Sequence, residues 1–337
     1  MENGKIKVWL PAIQAGSGAD VYTRRLAVAL ERRGITACIS WFPLSHELLP
    51  FLLKHARPPA GTDIVIANSW IGYAFRRSNL PLVVVVHHCI FNSELRPYKS
   101  APQSFYHRYI VEPREALSLH EADAVVAVSN YVAEQLRHRL GVDKVKVIYN
   151  WVETDLFRPL PVEPRRDRPF RLLFVGRPKR LKGIDMLAPL MRRLGEGFEL
   201  HLTADPQECK KMNLPANVIP IGRLAEQELI RAYQECDALL LPSRAEGFGF
   251  TALEAMACGK PVIASNNTAL PEIVADGVTG ILCSTDDISA FENACRLLAS
   301  DPYSCAAMGS KGSQRAVEKF SEARSVENYI FLMNRFL

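Results

Sequence analysis

The sequence predicts an α/β protein made of two successive parallel sheets, each with helices on both faces. Three observations predict it. Short apolar runs alternate with amphipathic stretches along most of the chain. At 337 residues the chain is long for a single core and suits two. A proline- and arginine-rich interval at 157–170, FRPLPVEPRRDRPF, breaks the alternation near the middle with four prolines and little periodicity.

In the first half, strands are expected near 6–10, 37–41, 64–67, 82–86, 124–128 and 146–149, with helices near 21–33, 107–119 and 130–140. The second half repeats the design, with strands near 171–175, 199–203, 218–221, 238–241, 261–264 and 280–283 and helices near 184–194, 225–235, 250–258 and 288–299. The expected division is an N-terminal Rossmann-like domain at 1–157, a linker at 158–170, a C-terminal Rossmann-like domain at 171–320 and a last helix at 321–337. Two such domains facing a cleft would take a ligand at the C-terminal ends of their parallel strands. The amphipathic tail ends in YIFLMNRFL, and its periodicity fits equally a local helix and one that packs back on the first domain.

Composition narrows the classes. With 48% hydrophobic and 23% charged residues the chain reads as soluble and globular. No apolar run approaches the length of a membrane span, and the start passes from Met1 to a strand at Ile6 without a signal-peptide core, so a cytoplasmic location is expected. The eight scattered cysteines form no C-x-x-C pair and read as reduced core residues, not as disulfides or a zinc site.

Formal charge is +5, with residues 1–150 holding 18 Lys+Arg against 12 Asp+Glu, or +6, and the remainder 23 against 24, or −1. The doublets Arg24-Arg25, Arg32-Arg33 and Arg76-Arg77 carry much of the excess. A basic face of this kind is either simply solvated or turned toward an anionic membrane surface or acceptor. Nucleic acid is not expected, since no basic run carries interleaved aromatics and no zinc-finger or RNP-like pattern occurs.

The densest motif is PSRAEGFGFTALEAMACGKPVIA at 242–264, set between two apolar strands. Gly247 and Gly249, with Phe248 and Phe250, open a short helix, where glycine allows close backbone approach and first-turn N–H groups attract anions. Glu246 lies on the rim and Glu254 eight residues on, one turn inside the helix. Two carboxylates are not there to hold a phosphate, so they read as acceptors for hydroxyl pairs, such as those of a sugar and a ribose. An isolated pair at this spacing would more simply be a solvated glutamate and an ordinary helix residue.

Other candidates follow the strand ends. Gly16 and Gly18 form a G-x-G turn after the first strand, but the third glycine and the acidic residue at the end of the second strand are missing, which disfavours a dinucleotide enzyme. His87 and His88 close the run of four valines at 83–86. Arg177 and Lys182 follow the strand that opens the second half, in VGRPKRLKG. Glu272 sits in TALPEIV, where a plain helix-start glutamate is the alternative.

The segments EGFGFTALE and AMACGKPVIAS closely resemble the donor-site signature of the retaining GT-B glycosyltransferases of family 4 (glycosyl transferases group 1). The segment at 176–183 resembles that family's G-R-x-x-x-x-K-G motif, and the match extends over nearly the whole chain, most strongly from 171 to 283. YNWVE at 149–153 departs from the family's N-G-V-D. The resemblance implies that Arg177 and Lys182 bind the donor diphosphate, Glu246 with the Gly247–Phe250 backbone holds the sugar hydroxyls, and Glu254 holds the ribose diol. It further implies that His87, with His88 as its competitor, orients the sugar, that the Gly16–Gly18 loop approaches the donor phosphate or the acceptor, and that Glu272 helps close the site. It also implies that the first domain binds the acceptor and the second the nucleotide-sugar donor, and that the last helix, 321–337, packs back on the first domain.

The function so implied is retaining hexosyl transfer from a UDP- or GDP-sugar to a saccharide or lipid-linked acceptor, as in bacterial cell-surface polysaccharide or lipopolysaccharide synthesis. No cofactor and no metal are expected, because no D-x-D motif occurs and two fixed cations can meet the leaving charge. A GT-B sugar-nucleotide epimerase or phosphorylase, or a non-catalytic nucleotide-sugar-binding protein, would present a similar site.

Overall fold

The computed structural model describes residues 6–89, 97–160 and 168–337. Its chain divides into two compact units, Met1–Asn150 with Glu322–Leu337, and Trp151–Ser321. The middle of the proline- and arginine-rich interval, 161–167, lies outside the described residues.

The first unit is built on β1 (Lys7–Gln14), β2 (Thr36–Pro43), β3 (Ile64–Asn68), β4 (Leu82–Val86), β5 (Ala124–Ala127) and β6 (Val145–Val147), ordered β2-β1-β3-β4-β5-β6 and parallel throughout. β4 is buried along its whole length, as a strand covered on both faces must be. All three expected helices lie here, two of them with different edges. The helix Gly18–Glu31 begins inside the glycine turn, Asn130–Leu140 is capped by Ser129 Oγ and closed by Gly141 in the left-handed region, and the stretch expected at 107–119 is longer and broken. It runs as Ala101–Tyr106, a wide π-helical turn His107–Val111, and Glu112–Glu121. The wide turn precedes Pro113, whose missing N–H and bulky ring interrupt the hydrogen-bond ladder.

The last helix, Glu322–Met333, belongs to this unit. Ser325 Oγ donates to the Tyr149 carbonyl at 2.8 Å, the Tyr329 and Tyr22 hydroxyls are hydrogen-bonded in the interior, and Arg32 pairs with Glu322 at 2.8 Å.

The second unit carries β7 (Phe170–Phe174), β8 (Phe198–Leu202), β9 (Val218–Pro220), β10 (Ala238–Leu241), β11 (Val262–Ser265) and β12 (Gly280–Cys283), ordered β12-β11-β10-β7-β8-β9 and again parallel. The order reverses between β7 and β10, and doubly wound sheets bind ligands at such a reversal. Its core gathers Leu187, Leu190, Met191 and Phe291 from helices with Leu200 and Leu240 from the sheet.

One long helix here, Pro302–Lys319, is absent from the sequence expectation. Gly309 and Gly312 weaken its helical pattern, yet both serve tertiary contact: a Cβ on Gly309 would lie 2.0 Å from the Gly259 carbonyl oxygen, and one on Gly312 3.4 Å from Met256. Among the described residues no helix is long and apolar enough to cross a membrane.

Candidate active site

The end of β7 and the end of β10, neighbours across the reversal, supply the two halves of the site in the second unit. After β7 the chain turns at Gly176, whose φ of 151° suits only glycine and whose N–H donates to Thr203 Oγ1 at 3.1 Å. Arg177 follows, exposed, then a single 3-10 turn, Arg180–Lys182, closed by Gly183 at φ 74°. Gly183 is required for a second reason, because a Cβ there would stand 2.2 Å from the Pro242 carbonyl oxygen. The segment 242–249 after β10 is buried throughout, and Gly249 (φ 107°) starts the helix Phe250–Ala257.

These turns bring Lys182 Nζ to 2.6 Å from Glu246 Oε1. The sequence assigns the two residues to different parts of a ligand, and the structure pairs them directly. Glu246 is only 9% exposed, so its charge is stabilised mainly by that lysine. Its backbone N–H donates to Thr268 Oγ1 at 3.0 Å. Thr268 holds φ 50°, a strained conformation for a β-branched residue.

Glu254 is 7% exposed, so it is no ordinary surface position of a helix. Its Oε2 accepts a hydrogen bond from the buried Tyr233 hydroxyl at 3.0 Å. Burial first, then the Glu254 charge and this hydrogen bond, push the Tyr233 phenol well above its ordinary pKa, so it remains a donor at any working pH. Phe248 is buried edge-on against Phe250 and Phe320, at 5.5 and 5.9 Å between ring centroids, which leaves its backbone as the part able to meet a ligand. Glu272 lies half-buried on the short helix Leu270–Ile273, whose carbonyls at Glu272 and Ile273 each accept from Arg315 at 2.8 Å.

The remaining candidates belong to the first unit. The Gly16–Gly18 turn is folded onto its own Asp20: the N–H groups of Ala15 and Gly16 donate to Asp20 Oδ2 at 3.0 and 2.9 Å, and Ser17 Oγ to Oδ1 at 2.9 Å. A buried carboxylate therefore takes the Gly16 N–H that the sequence reading offers to a phosphate. His87 and His88 are both half-buried just after β4. The His87 ring stands edge-on to Tyr22, with 4.5 Å between centroids, and desolvation lowers its pKa to about 4, which keeps it neutral near pH 7.

Five of the six arginines in the doublets make contacts within their own unit. Arg24 stacks over Trp41, Arg32 and Arg33 reach Glu322 and Glu327, Arg76 pairs with Asp123, and Arg77 donates to the carbonyls of Lys54, Ala56, Ala74 and Arg76. Sequence reasoning passed over Tyr233, Thr268 and Arg244, although Arg244 lies inside the central motif and only two residues from Glu246.

Comparison with known proteins identifies the family. The family model Glycosyl transferases group 1 matches residues 160–315, which include Arg177, Lys182, Glu246, Glu254 and Glu272, and the model Glycosyltransferase Family 4 matches residues 38–156. The chain belongs to the group 1 glycosyltransferases. Among relatives of this family, D-inositol 3-phosphate glycosyltransferase 1 of Catenulispora acidiphila is 30% identical over 311 residues, covering 81% of this chain and 72% of that protein. In fold, this glycosyltransferase is similar to the sucrose-phosphate synthase of Thermosynechococcus elongatus, with a TM-score of 0.82 at 22% identity over 98% of this chain and 99% of that one. It is likewise similar to Anabaena HepE in complex with UDP and glucose, with a TM-score of 0.76 at 19% identity over 98% and 100%. These likenesses establish the GT-B fold.

Proposed function

We propose that the protein transfers a hexosyl unit from a nucleoside-diphosphate sugar to a hydroxyl of a saccharide or lipid-linked acceptor, with retention at the anomeric carbon and without a divalent metal. The observation that carries the proposal is the Lys182–Glu246 pair, 2.6 Å apart where the sheet order reverses. A nucleotide-sugar is a diphosphate joined to a polyol, so it offers Lys182 an anionic oxygen and Glu246 a set of hydroxyl donors. The pair opens and each partner keeps a charge-assisted bond. Binding of UDP and glucose by Anabaena HepE supports a nucleotide-sugar as the donor.

In the reaction the bond between the anomeric carbon and the diphosphate oxygen breaks, and its electron pair stays on the departing oxygen. Arg177 and Lys182 meet that growing charge. The acceptor oxygen attacks from the same face, and its proton passes to the departing phosphate oxygen. Glu254, held through Oε2 by Tyr233, presents its carboxylate to the ribose diol. His87, neutral near pH 7, suits a hydrogen bond to a sugar hydroxyl better than proton transfer.

The test is a screen of UDP-, GDP- and ADP-sugars, each with and without acceptor and with and without EDTA. Transfer that survives EDTA is the expected result. Arg177→Ala and Lys182→Ala are expected to lose ~10²–10³-fold each, mainly in kcat, because the charge they meet grows in the transition state. Lys179→Ala is the exposed control. Activity abolished by EDTA and restored by magnesium would overturn metal independence, and isomerised donor without acceptor would replace transfer by epimerisation.

A further inference from the structure

Arg244 is a buried cation beside the site that no step of the proposed reaction uses. Its side chain is 5% exposed and committed to protein acceptors on two other segments of the chain. Nη1 and Nη2 donate to the two carboxylate oxygens of Asp185 at 2.7 and 3.0 Å, Nη1 also donates to the Arg180 carbonyl, and Nε donates to Asp286 Oδ1 at 2.6 Å. The backbone continues the pattern, with the Arg244 N–H donating to the Leu181 carbonyl at 2.9 Å. Arg244 thereby grips the turn that carries Lys182 on both sides, at Arg180 and Leu181 before it and at Asp185 after it. Gly183, packed against the Pro242 carbonyl, closes the same junction.

A lysine has four flexible side-chain torsions, so the position of its ammonium depends first on where its Cα is held. Here the Cα of Lys182 and the backbone of Glu246 are fastened to one another through a residue two places before Glu246. Only an arginine fork supplies a bidentate bond to one carboxylate and, through Nε, a bond to a second. We propose that Arg244 is the positioning residue for Lys182, fixing its ammonium where the donor diphosphate arrives. The proposal rests on the transfer reaction proposed above and adds a residue to it.

The test is a double-mutant cycle on the full chain, with Arg244→Lys, Lys182→Ala and the pair, reading kcat and KM for the donor. Arg244→Lys keeps a cation but loses the fork, and misplacement of a catalytic group by about 1 Å costs up to ~10²-fold. The expected result is a fall in kcat of about 10-fold or more in the parent, with KM little changed, and less than about 3-fold in the Lys182→Ala background. A purely structural role would give the same loss in both backgrounds and overturn the proposal, as would an unchanged kcat in Arg244→Lys.

If Arg244→Lys does not fold, Asp286→Asn, which weakens one arm of the grip, takes its place in the same cycle. If the parent turns over no donor, the transfer reading fails, and the Arg244 proposal is judged by calorimetry of UDP and GDP. Weakened binding that depends on Lys182 upholds it, and weakening independent of Lys182, or binding of neither nucleotide, overturns it.

Discussion

Glu115 has no exposed surface, and among the described residues only Oε1 of its carboxyl has a partner, the hydroxyl of Ser69, while Oε2 is buried without one. Burial raises its pKa from 4.5 to about 7, the Ser69 hydrogen bond opposes this, and the nearby Glu112 charge adds to it. The folded state therefore holds a proton that the unfolded state releases between pH 4.5 and about 7. In that window stability falls as pH rises, by on the order of 3 kcal/mol, and it is flat on either side. Glu115→Gln is expected to abolish that slope and to be more stable than the parent at pH 8. Urea midpoints for the first unit across pH 4 to 8 check this, and parallel profiles for parent and variant would contradict it. The partners of a buried group are what a sequence hides. Glu246 and Glu254 stand out in the motif because two carboxylates flank a glycine turn, but nothing in the chain pairs Glu254 with Tyr233, which lies on a different helix. Nor does it announce that Asp20 takes the N–H groups of the first glycine turn, since a short side chain four residues on can do so only once the helix has started.

Two glycines close short helical elements with nearly the same backbone, Gly141 at φ 62°, ψ 25° and Gly183 at φ 74°, ψ 22°. Alanine at Gly141 would meet nothing within 4 Å, whereas at Gly183 its methyl carbon would lie 2.2 Å from the Pro242 carbonyl oxygen. Gly141→Ala is expected to cost about 1 kcal/mol, the left-handed penalty alone. Gly183→Ala adds overpacking against backbone and is expected to cost about 2–4 kcal/mol in all, with loss of activity as the Lys182 turn moves. Urea unfolding of the two variants, followed unit by unit by hydrogen exchange, compares them, and equal costs would refute the close-approach account. Elements whose pattern is local are legible in the same way. The helices Asn130–Leu140 and Ile184–Leu194 match the expectation at both ends, because each begins after a cap residue and ends at a glycine. Pro302–Lys319 escapes because its two glycines read as breakers, and only the neighbouring helix shows that they are contact surfaces. Asp301, whose carboxylate caps Tyr303 and Ser304, and Pro302 in the first turn are the signal that could have marked its start.

At the scale of the molecule, the parallel alternation of strand and helix specifies both sheets, and the site of the second unit falls where the strand order reverses. What periodicity does not specify is where a helix distant in sequence docks. The last helix joins the first unit through contacts that span most of the chain: Tyr329 with Tyr22, Ser325 with Tyr149, Glu322 with Arg32. Its face of Val326, Tyr329, Leu332 and Met333 is almost wholly buried, and loss of each such side chain typically costs about 2–5 kcal/mol. Their sum is comparable with the whole stability of a domain, about 5–15 kcal/mol. A chain stopped after Ser321 is therefore expected to lose cooperative structure in the first unit. The second unit, whose core draws on none of these residues, should keep its own. Hydrogen exchange by mass spectrometry separates the two responses. Peptides from β1, β3 and β4 should exchange freely in the shortened chain, and those from β7, β10 and β11 should remain protected. Retained protection in β4 would mean that the first sheet stands without the returning helix, and that the Tyr22–Tyr329 hydrogen bond fastens the helix to a unit already stable by itself.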